Sequence, residues 1–442
     1  MLHRTQADGM SKTNYLNAGC LCLFVFLALG VPVAEAQVNC AAGNPASPKL
    51  ICLIPNTVVQ GADSATGKSY TLSPSTVASP FKNSFGFLTA DIGGEISQIP
   101  LASPASGIVF VTDPTLHVPV PSNDSLGPIL TQRADSIGRH KFYIATTYQY
   151  FLLEDVDGIS LKGALPSAFP LTLTSNPNPT TPDAIAFGNS RIDLKVHQFV
   201  GYATYGLTSR IDVSVAVPVL RVDMRYTINQ LTSTIVPTQL SNAEEATGIG
   251  DIVVAAKGNL WKFGRGGGVA IGVEMRLPTG DAENFLGSGT VGARPFVTFA
   301  YGRRISPHFN FAYQLNGNTE LVTNSVGANA LLPNRLLYSG GADWRVIKKL
   351  TFAVDILEQR VIDSQRAVIK PNSTSFTLGT STLTPANILS TTTGSYNRTD
   401  ASGGIKVNPI GNLLFTGNLT VALDHGGLRA RLAPLFGVSY TF

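Results

Sequence analysis

Few residues of this chain have the types and spacing that acid–base or nucleophilic chemistry needs. Its six histidines lie at positions 3, 117, 140, 197, 308 and 425. Asp424 and His425 place a carboxylate beside an imidazole, but no serine in a strand-to-helix elbow accompanies them. His197 follows Asp193 and Lys195 at two-residue spacing, which is typical of one face of a strand. The sequence therefore predicts no enzyme, and a hydrolase with a Ser/His/Asp set is the least favoured alternative.

A second chemical motif, the stretch ADSATGKS at 62–69, matches a relaxed phosphate-binding loop. Such a loop needs a strand before it and a helix after it, whose first amides bind the phosphate. Pro74 and Pro80 obstruct a helix after residue 69, and Ala62 stands where the stricter motif has glycine. We expect a polar loop here, with no nucleotide, metal or other cofactor.

The first 36 residues have the pattern of a secretory signal peptide. Lys12 precedes the apolar run 21–33, and an A-x-A cleavage site follows at 34–36. The exported chain keeps Cys40 and Cys52, and two such cysteines usually pair in an oxidising compartment. No histidine lies near them. We therefore expect a disulfide that closes a small N-terminal loop, in preference to a metal site.

The composition indicates a protein that hides apolar surface without membrane-spanning helices. Charged residues are only 14% of the 442 residues, against roughly 25% in a typical soluble protein. No stretch after the N-terminal region has the ~18 consecutive apolar residues that a spanning helix needs. A membrane barrel has this composition, because only every second residue of each strand meets lipid. A secreted all-β protein would look similar. The net charge is +4, without the basic block that nucleic-acid binding requires.

Residues 37–138 form a leader rich in proline, serine and glycine. Eleven prolines break it into short extended pieces. Only the stretch 81–99 could hold a helix, and its glycines weaken that prediction. The sequence leaves open whether this leader lies in the periplasm or plugs the lumen of a barrel.

From about Arg139 onward, apolar and polar residues alternate with period two, and the C-terminal segment shows this most clearly. Its apolar face consists of Leu432, Pro434, Phe436, Val438, Tyr440 and Phe442. Its other face consists of Arg429, Arg431, Ala433, Leu435, Gly437, Ser439 and Thr441. An arginine on a lipid-facing position near the bilayer midplane would cost roughly 2–4 kcal/mol, so the first face must be the one toward lipid.

Counting such segments predicts the fold class: an all-β, transmembrane, antiparallel up-and-down β-barrel of about twelve strands over residues 139–442, preceded by the irregular leader. The predicted strands are 140–153, 191–206, 210–228, 249–263, 268–278, 291–303, 308–318, 335–347, 350–363, 395–408, 412–423 and 430–442. After Pro218 the apolar residues change from odd to even positions. We expect a β-bulge at that proline.

The connections between these segments alternate in length, as they do in outer-membrane barrels. The long polar connections are 154–190, 229–248, 279–290, 319–334 and 364–394. The others, such as 207–209 and 347–349, are a few residues each. A soluble β-sandwich or propeller also alternates, but it has no reason to sort its connections by length or to end on an aromatic strand.

Three short motifs lie in the middle of the predicted barrel: GIGDI at 248–252, RLPTGD at 276–281 and GSGT at 287–290. Together with the closing Tyr440-Thr441-Phe442, they resemble the outer-membrane transporters grouped as "MetA pathway of phenol degradation" proteins. The resemblance covers about residues 190–442. It implies passage of small molecules, with aromatic or hydrophobic compounds as one candidate class. Read by themselves, the glycine–aspartate pairs are more typical of turns than of a binding site.

The same resemblance implies partners: the C-terminal aromatic residues, Tyr440 and Phe442, are similar to the signal that the barrel-assembly machinery reads. The other expected partners are outer-membrane lipid and a small-molecule solute. Export by a signal peptide and a barrel fold together predict the outer membrane of a Gram-negative-type bacterium.

The alternation also predicts which polar side chains face the lumen. These candidates are Asp193, Lys195, His197, Asp212, Glu274, Arg276, Asp343, Arg345, Asp355 and Arg431. Such mixed charges either line a hydrated pathway or pair to brace the interior. Eight strands leave a filled interior and sixteen or more leave a wide channel, so about twelve predict a narrow lumen. We expect a passive channel or transporter. A structural or adhesin-like barrel is the alternative, because the connections 154–190 and 364–394 are rich in Ser, Thr, Pro and Asn.

Overall fold

The computed structural model describes most of the chain after the predicted signal peptide. The described residues are 40, 49–73, 92–103, 110–112, 119–121, 126–176, 178–230, 239–263, 267–302, 304–323, 329–372, 375–378, 381–384 and 387–442. They all belong to one compact unit, residues 37–442. The signal peptide predicted at 1–36 lies outside the described residues.

Twelve antiparallel strands close into a barrel. In chain order they are β1 Phe142–Val156, β2 Ala184–Gly206, β3 Ile211–Gln230, β4 Ile252–Lys262, β5 Gly267–Leu277, β6 Gly292–Tyr301, β7 Ile305–Asn316, β8 Arg335–Ile347, β9 Leu350–Pro371, β10 Asn387–Val407, β11 Leu413–Ala422 and β12 Leu432–Thr441. Neighbours in sequence pair with one another, and β12 closes the ring against β1, with Phe436 opposite Tyr148. The predicted fold class is confirmed, and each predicted strand overlaps one of these twelve.

Further elements lie in the connections and the leader. The additional strands are Tyr70–Leu72, Phe110–Thr112, Pro119–Pro121, Ile159–Ser160, Leu165–Leu173, Gln239–Ile249, Asn318–Thr323, Asn329–Leu331, Phe376–Leu378, Ser381–Leu383 and Leu428–Ala430. The helix α1 spans Leu53–Thr66, and 3-10 turns span Leu50–Cys52 and Ala282–Asn284. Within the part of the chain that the structure describes, none of the helices is long and apolar enough to cross a membrane.

The barrel has two ends that differ in their connections. The turn end carries the short connections, such as 207–210, together with Phe442, whose ring lies 6.1 Å from that of Phe142. The loop end carries the long connections. Several strands extend further toward the loop end than the sequence indicates: β9 continues to Pro371, and a strand begins at Gln239 inside the predicted loop 229–248. The long connections are therefore partly strand.

Near the turn end, apolar side chains cover the outer surface of the barrel. Exposed outward-facing residues include Phe142, Ile144, Phe199, Ile271, Val273, Val297, Phe299, Phe309, Phe311, Phe352, Val354, Ile356, Phe415, Phe436 and Val438. The residues between them face inward and include many buried polar ones, for example Thr204, Asp212 and Lys406. This arrangement is the one expected of strands with lipid outside and a polar lumen inside.

The β-bulge expected in β3 at Pro218 is wrong, because the one extra residue at this level lies on the opposite segment, between Ile249 opposite Val219 and Val253 opposite Ala216. β2 and β3 pair without a register shift, from Gly206 opposite Asp212 to Gly188 opposite Gln230. Even-numbered residues of β3 face inward along the whole strand, from the buried Asp212 to the buried Ile228. The alternation of inward and outward side chains therefore continues without interruption along β3. What changes along the strand is whether lipid or water lies outside it and whether polar or apolar groups lie inside it.

Toward the loop end, the inward side of β2 and β3 is apolar and their outward side is charged. Val222, Met224 and Tyr226 of β3 pack in one core with Val58 and Val59 of α1. On the outer side of the same strand, Arg221 pairs with Asp223 at 3.0 Å and with Glu245 at 2.5 Å. The wall therefore continues beyond the lipid belt into water, and its interior is filled by the helix.

The helix α1 contradicts two expectations, that residues 62–69 form a polar loop and that only the stretch 81–99 of the leader could hold a helix. Leu53, Ile54, Val58 and Ala62 lie on its buried face, and Gly67 ends it in the left-handed conformation, with its N–H donating to the Asp63 carbonyl. The helix precedes the glycine instead of following it. Helical amides therefore do not surround a phosphate position, and the rejection of a phosphate-binding loop agrees with the geometry.

Candidate functional site

The described residues 92–103 and 126–137 of the leader lie inside the barrel, and its residues near Lys49 lie at the loop end. Lys49 binds Asp281 at 2.7 Å, and the Leu50 N–H donates to Asn284 at 3.1 Å. These bonds raise the pKa of the Lys49 ammonium group, with the hydrogen bond to Asp281 as the largest cause. Burial opposes ionisation of Asp281, but the hydrogen bonds from Lys49 and Asn284 outweigh burial and lower the pKa of its carboxyl group.

Close by, the structure places Cys40 and Cys52 in a disulfide, with their Cα atoms 5.4 Å apart. This bond joins the start of the described leader to the residue before α1. Of the helix expected somewhere within 81–99, residues 92–96 are helical. Residues 81–91 lie outside the described part of the chain.

Glu95 attaches the middle of the leader to the barrel wall. Its Oε1 atom accepts hydrogen bonds from Arg335 Nη2 and Tyr396 Oη, each at 2.7 Å, and its Oε2 atom accepts from Arg398 Nη1 at 2.7 Å. Glu95, Arg335 and Arg398 are all buried. A buried carboxylate requires such compensation, because removing it from water costs several kcal/mol.

The charges continue beyond Glu95 with alternating sign. Arg398 lies 3.6 Å from Asp400, and Asp400 accepts a hydrogen bond from Arg429 at 2.8 Å. Arg429 also lies 3.4 Å from Asp424. The sequence did not single out Glu95, Arg335, Arg398 or Asp400 as site residues. Extending the β8 parity from Asp343 back to Arg335 could have found that arginine, whereas the polar stretch around Arg398 shows no clear alternation.

At the turn end, side chains of the wall bind backbone carbonyl groups of the leader. Lys257 donates to the carbonyls of Arg133 and Asp135 at 2.9 and 2.8 Å. Lys406 donates to the carbonyl of Pro128 at 2.6 Å. Residues 126–137 thus lie across this end of the lumen before β1 begins, and they take up buried charges of the wall.

Five of the predicted lumen residues are inside the barrel in ion pairs or hydrogen bonds. Asp212 accepts from Ser136 Oγ at 2.6 Å. Glu274 accepts from Arg294 Nε at 2.8 Å. Arg276 Nε lies 3.6 Å from Asp251. Each contact uses the polar side chain to brace the interior.

The other two of these five share a histidine. His308 lies between Asp343 and Asp355, with Nδ1 3.3 Å from Asp343 and Nε2 2.5 Å from Asp355. Both ring nitrogens are engaged, so this imidazole joins β7, β8 and β9 and has no nitrogen left to act as a base. Arg345, a sixth predicted residue, is half-buried at the turn end of β8.

The remaining four predicted lumen residues are not inside. Asp193, Lys195 and His197 point outward, because the buried residues of β2 are their neighbours Ile192, Leu194, Val196 and Gln198. These three lie where the wall extends beyond the lipid belt, so the rule of polar-inside residues does not apply to them. Arg431 sits between Leu428–Ala430 and β12, and its side chain is 70% exposed, 3.9 Å from Glu154.

The glycine–aspartate motifs come together around Asp251. Its Oδ1 atom accepts from the Gly280 N–H at 3.1 Å, and its Oδ2 atom accepts from the N–H and the hydroxyl of Ser288 at 2.8 and 2.5 Å. Thr279 Oγ1 donates to the Gly250 carbonyl at 2.8 Å and accepts from the Ile252 N–H at 2.9 Å. The motifs thus hold the connection between β5 and β6 against residues 250–251, which join the strand Gln239–Ile249 to β4.

Two glycines of this cluster are required by close backbone approach. A Cβ atom on Gly280 would lie 2.5 Å from the Leu286 carbonyl oxygen, and one on Gly287 would lie 2.6 Å from Asp251 Oδ1. Neither position has room for a side chain. The structure therefore accounts for these motif residues through packing and turn geometry.

Two adjoining spaces lie between the leader and the wall. One space, of ≈ 660 Å³ counted to its open ends, lies beside Gln98, Arg276 and Gln314. The other, of ≈ 950 Å³ counted to its open ends, lies deeper, beside Leu130 and Leu337. Leu101, Val253, Glu274 and Arg294 line both spaces. The two spaces therefore adjoin at these four residues, and the place that the four residues line is called the constriction here.

With this geometry in place, the chain can be compared with known proteins. Residues 179–356 match the protein family described as MetA-pathway of phenol degradation. The resemblance stated from the sequence is confirmed over this stretch. The MetA-pathway match contains the three motifs around Asp251. Glu95 and Arg398, by contrast, lie outside it.

Among curated proteins, no sequence matches this chain. Solved structures with a similar fold include an outer-membrane channel from Pseudomonas putida F1, at 11% identity and a TM-score of 0.41, covering 71% of this chain and 99% of that one. They also include the toluene transporter TbuX from Ralstonia pickettii, at 12% identity and a TM-score of 0.34, covering 69% of this chain and 90% of that one. A FadL homologue from Pseudomonas aeruginosa has 9% identity and a TM-score of 0.30, covering 69% and 90%.

Proposed function

We propose that this protein is an outer-membrane channel through which small, largely hydrophobic molecules pass between the leader and the barrel wall. A closed barrel leaves no unpaired strand edge in lipid, which is the condition for spanning a bilayer with strands. The observation that carries the proposal is the pair of spaces that adjoin at Leu101, Val253, Glu274 and Arg294. The family description matched by residues 179–356 supports aromatic compounds as solutes.

The orientation of the barrel in the outer membrane follows from the difference between its two ends. Short turns of outer-membrane barrels face the periplasm and long loops face outward, so the turn end with Phe442 is the periplasmic one. Tyr440 and Phe442 are exposed on the outer surface there, where the barrel-assembly machinery could bind them. Lipid is then the partner of the apolar belt.

In this proposal the leader narrows the pore. Residues 92–103 and 126–137 line the spaces and make hydrogen bonds to opposite walls, for example Gln98 with Gln314 at 2.8 Å and Gln132 with Glu274 at 3.1 Å. Glu95 attaches the leader through ion pairs with both Arg335 and Arg398. A solute must therefore move along the side of the leader.

Replacing Glu95 tests this arrangement. In the Glu95→Gln variant, Arg335 and Arg398 lose their shared anion, and a buried pair of like charges destabilises the attached leader. We expect a higher single-channel conductance in planar bilayers than for the unchanged protein. Glu245→Gln is the matched control, because Glu245 is exposed and faces outward.

An unchanged conductance in Glu95→Gln would contradict a leader that narrows the pore. A protein that conducts neither ions nor aromatic solutes, even without its leader, would contradict the channel itself. That result would favour the adhesin-like alternative, for which binding of intact cells to surfaces is the direct measurement.

A further inference from the structure

Two charged side chains, Arg294 and Glu274, line the constriction, and they differ in how far they are exposed. The side chain of Arg294 is 31% exposed, whereas that of Glu274 is 8% exposed. Glu274 Oε2 accepts from Arg294 Nε at 2.8 Å, and Glu274 Oε1 accepts from Gln132 Nε2 at 3.1 Å. The carboxylate is therefore turned toward its partners, and a molecule in the constriction meets the guanidinium group.

A guanidinium group only donates hydrogen bonds, and it has five N–H bonds. Two of its nitrogens, Nε and Nη2, are directed to Glu274. The group can thus recognise an acceptor atom on a solute while Glu274 cancels its net charge. This combination favours a neutral acceptor over an anion, since an anion would lose its hydration without meeting a net positive charge.

The surroundings of Arg294 are apolar and close together. Leu101 of the leader and Val253 of β4 line both spaces, and Leu130, Phe296 and Leu337 line the deeper one. Asn310 also lines the deeper space: its oxygen accepts from the Gln132 N–H at 3.2 Å, and its buried Nδ2 atom has no hydrogen-bond partner among the described residues. A site of this kind binds an apolar body with one polar group.

We propose that this constriction is a binding site for a small neutral solute with a ring-sized apolar body and one hydrogen-bond-accepting oxygen, which Arg294 recognises. The inference rests on the proposed function, because it assigns the solute class that the channel selects. Leu101 and Val253 hold the ring, and the donors of Arg294 bind the oxygen. A hydrocarbon of the same size fits the walls but leaves these donors without an acceptor.

Binding of three matched probes to the purified full-length protein in detergent tests the site. The probes are acetophenone, ethylbenzene and benzoate, titrated calorimetrically against the protein and against protein-free micelles. We expect acetophenone to bind about five- to tenfold more tightly than ethylbenzene, the range for one hydrogen bond, and more tightly than benzoate. Equal binding of the first two probes, or tightest binding of benzoate, would overturn the proposal.

Variants of the charged pair separate recognition from folding. Arg294→Met alone leaves Glu274 buried without its cation, so the double variant Arg294→Met/Glu274→Gln is the main test. It should lose the preference for acetophenone and keep its affinity for ethylbenzene, and Arg294→Lys should keep part of the preference. A preference that survives in the double variant would contradict the role of Arg294. Arg225→Met, on the outer surface, is the control.

The experiment distinguishes this site from the channel as a whole. Binding is measured without a membrane, whereas the Glu95→Gln experiment measures conductance. A protein that shows the expected preference but never conducts supports the site and contradicts the channel. A protein that conducts without any preference among the probes supports the channel and overturns the site.

Discussion

Asp251 shows how a single carboxylate joins stretches of chain that are distant in sequence. Its two oxygens accept hydrogen bonds from Gly280 and Ser288, and it lies 3.6 Å from Arg276. Charge-assisted hydrogen bonds of this kind are stronger than neutral ones. The glycines around it matter for a different reason, which is the absence of space for a Cβ atom.

A glycine substitution separates these two contributions. We expect Gly280→Ala to destabilise the folded barrel by about 1–3 kcal/mol, the usual cost of overpacking, because the new Cβ atom would meet the Leu286 carbonyl. Chemical unfolding of the protein in lipid vesicles measures the effect. Gly258→Ala is the control, since a Cβ atom there has nothing within 4 Å. Equal stability of the two variants would refute the packing argument.

The assignment of outward-facing and inward-facing positions can be tested with two adjacent residues of β3. Val215 is on the odd, outward-facing positions and Ser214 on the even, inward-facing ones, where it lines the deeper space. Val215→Arg places a charge in lipid at a cost of roughly 2–4 kcal/mol near the midplane. We expect it to impair assembly far more than Ser214→Arg does. The fraction of folded barrel on semi-native gels checks this expectation. Similar fractions for the two variants would refute the assignment of outward and inward positions.

At the scale of elements, β2 and β3 show that the alternation of polar and apolar residues depends on the surroundings of each face as well as on which way the side chains point. Their even positions face inward throughout, yet these positions are polar near Asp212 and apolar near Met224. Lipid surrounds the first part of the wall and water surrounds the second, while α1 fills the interior at the loop end. A strand that leaves the membrane therefore exchanges its polar and apolar faces without any bulge.

The apolar inner face of the strands near the loop end predicts that the core they form with α1 holds the leader in place. Val58→Asp places an unpaired carboxylate among Val222, Met224 and Tyr226, and burying it costs several kcal/mol. We expect the leader to become more sensitive to added protease, with the barrel itself still assembled. The control is Gln60→Ala, because Gln60 is exposed and its contact with Asn242 is polar. Unchanged protection of the leader would show that this core does not hold it.

At the scale of the whole molecule, the proposed channel depends on the leader for its width. A ring of twelve strands encloses more space than eight strands, whose interior side chains fill completely. The leader takes up part of that extra space and binds opposite walls, so its removal should widen the path. The lumen then depends on contacts between residues more than 200 positions apart, such as Glu95 with Arg335.

Deleting residues 37–130 tests the leader as a unit. We expect the deletion to raise single-channel conductance above that of Glu95→Gln, because it removes the obstruction and not only one attachment. Conductance in planar bilayers is the measurement, and heat-modifiable migration confirms that the shortened barrel has folded. If the two variants conduct equally, the leader is displaced by loss of Glu95 alone. If the deleted form conducts no better than the full chain, the leader does not obstruct the path.

Much of the barrel could be predicted from residue order because each strand meets two different environments, and a period of two records this directly. The twelve strands, the lipid-facing positions such as Phe436 and the inward positions of Asp212, Glu274 and Asp355 all follow from that period. The tertiary structure alone decided which inward residues lie at the same height, and hence that Glu95 meets Arg335 and that three motifs surround Asp251. It also decided that Asp193, Lys195 and His197 face outward, because the position of the lipid belt depends on the assembled barrel and not on any single strand.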